Sequence, residues 1–204
     1  MLKIGVAGTI AAGKTTVSIL LKRRGFAVFN SDQYAKMATH HTNPCFAKIR
    51  EAFGEDLIDT DGNIDRAKLA DVIFHDESAR QKLNGIVHPY VKEGLLKFFE
   101  RNAGQPAVFA EVPLLFEAGW QDLFDHTLVI TCSRETAIRR MMEERDYSEE
   151  EAGARYDSQM SSDQQVLLAD QVIYNDGTLE DLDHTVNFYI RDLREEIRHG
   201  NQSL

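Results

Sequence analysis

Five short apolar, β-branched or aromatic runs punctuate the chain: Leu2–Ala7, Phe26–Asn30, Pro106–Val112, His126–Cys132 and Asp170–Asn175. They are near-continuous rather than strictly alternating, as strands covered on both faces are. Helical spacings lie between them. After the first run, Val17, Leu20, Leu21 and Arg24 recur at i, i+3, i+4 and i+7, the first three being apolar. The pattern predicts an α/β fold: an open parallel five-stranded sheet with helices on both faces, right-handed crossovers, and a ligand at the C-terminal ends of the strands. A last helix is expected from about Leu179, fraying past Gly200.

The first strand leads into Gly8-Thr9-Ile10-Ala11-Ala12-Gly13-Lys14-Thr15, which fits G-x-x-x-x-G-K-[ST] between a strand and a helix. Backbone N–H groups that close around phosphate leave room only for small side chains, and Ala11 and Ala12 are small enough. The following helix aims its positive N-terminus at the same point. Lys14 is expected on the β- and γ-phosphates of ATP. Thr15 is expected to give its hydroxyl to Mg²⁺, with Thr16 next in the first turn.

Two connections are long. About 75 residues part the second and third strands, where a crossover needs about a dozen. The helical stretches Asn43–Phe53, Asp65–Phe74 and Glu77–Asn102 fill this gap and predict a substrate-side insert over approximately 33–105 within one domain of residues 1–204. The second segment, approximately 133–169, holds Arg139, Arg140, Arg145 and Arg155 and is expected to act as a lid, with at least one arginine on phosphate. Glu143, Glu144, Glu149, Glu150 and Glu151 share the segment, so each arginine taken alone also fits a solvated helix.

Asp32 follows the second strand, where a carboxylate can orient an attacking hydroxyl or take its proton; Ser31 or Asp32 also fits the cap of the next helix. Glu111 ends the third strand, beside metal or substrate. Pro113 breaks that strand, leaving Leu114, Leu115 and Phe116 as an apolar lip or as packing. No N-K-x-D occurs and no D-x-x-G follows the third strand, which argues against a GTPase. A net charge of −10 argues against a general nucleic-acid surface. Cys45 and Cys132 do not make a disulfide framework and read as reduced, buried thiols of a cytoplasmic protein. No run of roughly 18 apolar residues exists to span a membrane.

The phosphate loop, Asn30–Ala35, Ile86–Val91, Glu111–Glu117, the arginine-bearing segment with Ala154–Met160, and Ala169–Leu182 occur in an order that resembles the dephospho-CoA kinases over nearly the whole chain. The resemblance implies transfer of the ATP γ-phosphate to the 3′-hydroxyl of dephospho-CoA, the last step of coenzyme A synthesis; a monomer or weak homo-oligomer is expected. It implies Asp32 as the catalytic carboxylate with Lys14, His88-Pro89 as a substrate-side signature, Arg140 as the lid arginine, and Asn175 with Gly177 beside adenine. Another small-molecule kinase on this fold, such as a nucleoside or nucleotide kinase, and a non-catalytic ATP-binding regulator remain alternatives.

Overall fold

β1 (Leu2–Gly8) lies at the centre of the sheet, and its composition says why: Ile4, Val6 and Ala7 are wholly buried, so neither face meets water. The other strands are β2 (Ala27–Asn30), β3 (Ala107–Glu111), β4 (His126–Thr131) and β5 (Gln171–Tyr174). In the computed structural model, which describes residues 1–200, they line up as β2-β3-β1-β4-β5. β1 pairs in parallel with β3 on one side and β4 on the other, and β4 pairs in parallel with β5. The five-stranded parallel sheet expected from the apolar runs is therefore present, with β1 one residue longer than expected and the other four strands shorter. The stretch expected to fray past Gly200 lies outside the described residues.

α1 (Lys14–Arg23) and α9 (Leu179–Gly200) cover the sheet. Val17, Leu20 and Leu21 from α1 join Leu182, Val186, Ile190 and Leu193 from α9 and Phe109 and Ile130 from the strands in one core. Each such side chain adds about 1.5–3 kcal/mol of transfer free energy on burial. α9 buries these residues at helical spacing and turns its charged residues outward. Three shorter helices, α6 (Arg134–Arg145), α7 (Glu149–Asp157) and α8 (Ser162–Leu168), fill the segment between β4 and β5. Ser133, Ser148 and Ser161 cap their N-termini, the latter two in capping boxes with Glu151 and Gln164.

The chain divides into two compact units, one made of Met1–Phe29 and the chain from Asn102 onward, the other of Asn30–Arg101. The second unit holds α2 (Ser31–Lys36), α3 (Pro44–Phe53), α4 (Arg66–His75) and α5 (Glu77–Arg101). It has a core of its own, built from Cys45, Ile49, Leu57, Ile64 and Leu69 against Ile86 and Val87 of α5. α2 packs on α5 through Tyr34, whose ring stacks on Tyr90 at 4.7 Å. A side chain at Gly94 would collide with the Tyr34 ring, so α5 has glycine there.

The cap of α2 corrects a sequence expectation. Asn30, in an extended conformation, accepts the Gln33 N–H on its side chain, so Asn30 is the N-cap and Ser31 and Asp32 lie inside the first turn. Both cysteines are buried free thiols, as expected, and burial pushes each thiol pKa up.

Candidate active site

The phosphate-loop motif forms a curled turn from the end of β1 to the start of α1. Gly8 passes so close to β4 that a Cβ there would lie 1.9 Å from the Ile130 carbonyl oxygen. Gly13 has φ 95°, and a Cβ on it would lie 2.6 Å from Asn175 Nδ2. Ala11 also takes a left-handed φ of 58°, at a cost of about 1–2 kcal/mol for a residue with a Cβ. Left-handed residues at Ala11 and Gly13 curl the backbone, the geometry in which successive N–H groups form an anion-binding concavity.

The start of α1 differs from the other helix starts. Gly13 offers no side-chain cap and the first turn has no acidic residue. The first N–H groups of α1 are thus left without a capping side chain, which suits them to an anion. Lys14 Nζ arches back and donates to the carbonyls of Gly8 at 2.9 Å and Thr9 at 2.7 Å. This fixes the ammonium over the loop it is expected to serve.

Glu111 closes the other side. It ends β3 at 3% exposure. Its carboxylate accepts the Thr15 hydroxyl at 3.0 Å and the Ser18 hydroxyl at 2.8 Å. A hydroxyl and a carboxylate are hard oxygen donors, the type Mg²⁺ takes while keeping its remaining positions for water and phosphate. The donor set therefore fits that ion.

Beyond the loop, β5 and the lid segment supply polar anchors. The buried Asn175 donates from Nδ2 to the Ala12 carbonyl at 2.8 Å. Asp176 accepts the backbone and side chain of Ser133 at 2.8 and 2.7 Å. Partial burial alone raises the Asp176 pKa, but the hydrogen bonds from Ser133 and Thr136 together with the Arg140 charge outweigh it and hold the carboxyl low. Arg140 Nη1 donates to the Ala11 carbonyl at 3.2 Å, and Nη2 lies 3.5 Å from the Gly177 carbonyl oxygen. Ile10 and Ala11 also pack on Ile138, Met141 and Ala152 of α6 and α7.

The other lid arginines are engaged elsewhere or stand in solvent. Arg139 pairs with Glu143, Arg155 stacks 4.5 Å above Tyr147, and Arg145 is exposed. Of the four arginines singled out in the sequence, Arg140 is the one hydrogen-bonded to the loop. Sequence reasoning missed Gln159, whose Oε1 accepts the Ile10 N–H at 3.1 Å. With Arg140 it grips two adjacent residues of the phosphate loop, one of them the left-handed Ala11. It also missed Ser18, although Ser18 lies three residues after Thr15, on the same helical face.

The residues after β3 divide between the two readings, lip and packing. Leu115 is wholly buried, and a Cβ on Gly5 would lie 2.5 Å from its Cδ1. It is core, while Leu114 is 50% exposed and Phe116 half-buried. In the second unit, Asp32 is exposed in the first turn of α2. His88 is half-buried on α5, and burial lowers its pKa. Pro89 follows it inside the helix, with its side chain exposed.

A parallel sheet whose central strand runs through a glycine loop into an uncapped helix, with a lysine over the loop and a buried carboxylate on the following threonine, defines the P-loop kinase class. Comparison with known proteins narrows the class. The family described as dephospho-CoA kinase (CoaE) matches residues 2–181. A dephospho-CoA kinase of Bacillus cereus is 42% identical over 178 residues, covering 86% of this chain and 89% of that protein. The chain belongs to the dephospho-CoA kinase family. Among solved structures it resembles TT1252 from Thermus thermophilus, with a TM-score of 0.81 at 33% identity over 94% of this chain and 97% of that one. It also resembles a dephospho-CoA kinase from Campylobacter jejuni, with a TM-score of 0.66 at 25% identity over 94% and 96%. Among the described residues no helix is long and apolar enough to cross a membrane.

Proposed function

We propose that this chain transfers the γ-phosphate of ATP to the 3′-hydroxyl of dephospho-CoA, giving CoA and ADP. The observation that carries the reading is the Gly8–Thr15 loop opening on the uncapped start of α1, with Thr15 bonded to the buried Glu111. Family membership names the acceptor.

In this reading the amides of Ala11, Gly13, Lys14, Thr15 and Thr16 receive the phosphate chain. Gly8 and Ala12 shape the loop that presents them. Lys14 brings a point charge to the β- and γ-phosphates and leaves its present carbonyl partners when they arrive. Arg140 adds positive charge beside Ala11, where negative charge shifts during transfer. Thr15 and Glu111 hold Mg²⁺, which when bound draws charge from the phosphate oxygens. Asn175 and Gly177 form the adenine side. Asp32 aligns the acceptor hydroxyl and takes its proton late. The unit Asn30–Arg101, including His88 and Pro89, presents the acceptor, with Leu114 alongside it. Residues 133–169 exclude water from the transferring group. The free, buried thiols suit a cytoplasmic enzyme, and we propose a monomer or weak homo-oligomer.

The test offers dephospho-CoA, adenosine, AMP and shikimate in parallel and follows ADP release. Turnover with dephospho-CoA well above the other three is expected. Equal or faster turnover with another acceptor, or none with any, overturns the reading.

A further inference from the structure

Ala11 is the strained point of the phosphate loop. Its φ of 58° lies in the left-handed region, which a residue with a Cβ keeps only where its surroundings over-determine it. Hydrogen bonds bracket it on both sides. The Ile10 N–H donates to Gln159 Oε1 at 3.1 Å, and the Ala11 carbonyl accepts Arg140 Nη1 at 3.2 Å. Between that N–H and that carbonyl lie all the soft dihedrals of Ile10 and Ala11. Fixing both ends therefore holds the turn. A further bond, from the Ala12 N–H to the Thr9 carbonyl at 3.3 Å, closes it from inside.

The two holders are not equivalent. Arg140 is charged, and the kinase reading sets it beside the transferring phosphate. Gln159 is uncharged, and the N–H it accepts belongs to Ile10, outside the amides assigned to the phosphate chain. Gln159 is half-buried on the short link between the end of α7 at Asp157 and the Ser161 cap of α8. That link is itself anchored. Gln165 of α8 is 1% exposed and donates from Nε2 to the carbonyl of Met160, the residue after Gln159, at 3.2 Å. Its Oε1 has no hydrogen-bond partner among the described residues. A buried amide is thus kept, against its desolvation cost, for the one bond it makes beside Gln159. Ser162 Oγ lies 2.6 Å from Thr131 Oγ1 at the end of β4, which ties the start of α8 to the sheet.

We propose that Gln159 is a positioning residue for the nucleotide: by accepting the Ile10 N–H it keeps the Ala11 turn in its phosphate-receiving shape before ATP arrives. A loop freed from Gln159 relaxes out of the left-handed conformation at Ala11, and an incoming nucleotide must then restore it from its own binding energy. The inference rests on the kinase reading above for the identity of the phosphate ligand. It gives the segment between β4 and β5 a second duty besides covering the site: its α7–α8 link pre-shapes the loop.

The test is calorimetric binding of a non-hydrolysable ATP analogue with Mg²⁺ to the full chain, with the KM of each substrate measured alongside. Gln159→Met keeps the length of the side chain and removes its acceptor. Gln159→Asn keeps an amide that stops one methylene short of Ile10. Each is expected to weaken the analogue by about five- to thirtyfold, the factor that corresponds to left-handed strain at one residue with a Cβ. The KM for ATP should rise in step, while the KM for dephospho-CoA stays within about twofold. Glycine takes a positive φ freely, so Ala11→Gly added to Gln159→Met should recover at least about threefold of the lost affinity. A loss of less than about threefold in both Gln159 variants overturns the inference and leaves the kinase reading standing. So does a loss that Ala11→Gly does not recover, and so does an equal rise in both KM values, which marks a general loosening of the fold. A wild-type chain that binds no nucleotide removes the inference and the kinase reading together.

Discussion

Replacing Glu111 by Gln separates a structural carboxylate from a working one. The side chain is 3% exposed and accepts two hydroxyls, from Thr15 at 3.0 Å and Ser18 at 2.8 Å. A hydrogen bond to a charged group is worth about 1.5–3 kcal/mol and one to a neutral group about 0.5–1.5 kcal/mol. Neutralising the carboxylate therefore forfeits roughly 1 kcal/mol at each of these two bonds. Against this, an amide escapes the desolvation penalty of a buried charge, which is several kcal/mol. The two effects oppose each other, so urea denaturation should find Glu111→Gln within a few kcal/mol of wild type. Glu111→Ala is different. It strands the buried Ser18 hydroxyl and leaves a cavity, and should lose about 2–5 kcal/mol. If the carboxylate serves Mg²⁺ with Thr15, turnover of Glu111→Gln should fall by about a hundred- to a thousandfold, the size of one lost electrostatic contact in a transition state. Its Mg²⁺ requirement should shift to higher concentration. A Glu111→Gln enzyme with near-normal turnover and an unshifted Mg²⁺ titration refutes the reasoning and leaves Glu111 as a tie between β3 and α1.

Asp32→Asn should lower kcat by about 10²–10⁴-fold with the melting temperature unchanged, because Asn30 and not Asp32 caps α2. Asn30→Ala should instead cost about 0.5–2 kcal/mol of stability, and a loss of that size in Asp32→Ala with kcat retained would make Asp32 the structural residue. Arg140→Ala should lower kcat more than it raises the KM for ATP, and a KM effect alone would place the arginine in ground-state binding. For His88, burial lowers the folded pKa below the usual 6.5. The unfolded chain then takes up the proton first as pH falls, so stability is full above about pH 6.5 and declines below it, towards the folded pKa. His88→Gln should flatten that acid-side decline in urea midpoints measured from pH 7.5 to 5, and an equally steep decline would show that other groups cause it.

Much of the fold is legible in the sequence because the strand runs are short and mostly apolar, and four of the five end at or just before Gly, Pro or Asn. The phosphate loop is legible for the same kind of reason: its glycines answer to close backbone approach at Ile130 and Asn175. What stays hidden depends on choices that composition leaves equal. Asn30, Ser31 and Asp32 all cap well, and only the extended backbone at Asn30 selects it. Leu114 and Leu115 are the same residue type, yet one is half-exposed and the other lies against Gly5. Arg139 and Arg140 are neighbours on α6, and their 100° separation around the helix decides that one meets Glu143 and the other Ala11. Gln159 carries no periodic signal, and its bond to Ile10 spans 149 positions of sequence.

The central claim is that this loop serves phosphoryl transfer to dephospho-CoA. Label transfer tests it most directly: wild type and Lys14→Ala are incubated with γ-labelled ATP, Mg²⁺ and dephospho-CoA, and the labelled products are separated and the phosphate position assigned by NMR. The account predicts label on the 3′-oxygen of CoA with wild type, and a sharp loss of that product with Lys14→Ala. Label released only as inorganic phosphate, or on another acceptor position, or equal CoA labelling by Lys14→Ala would contradict it.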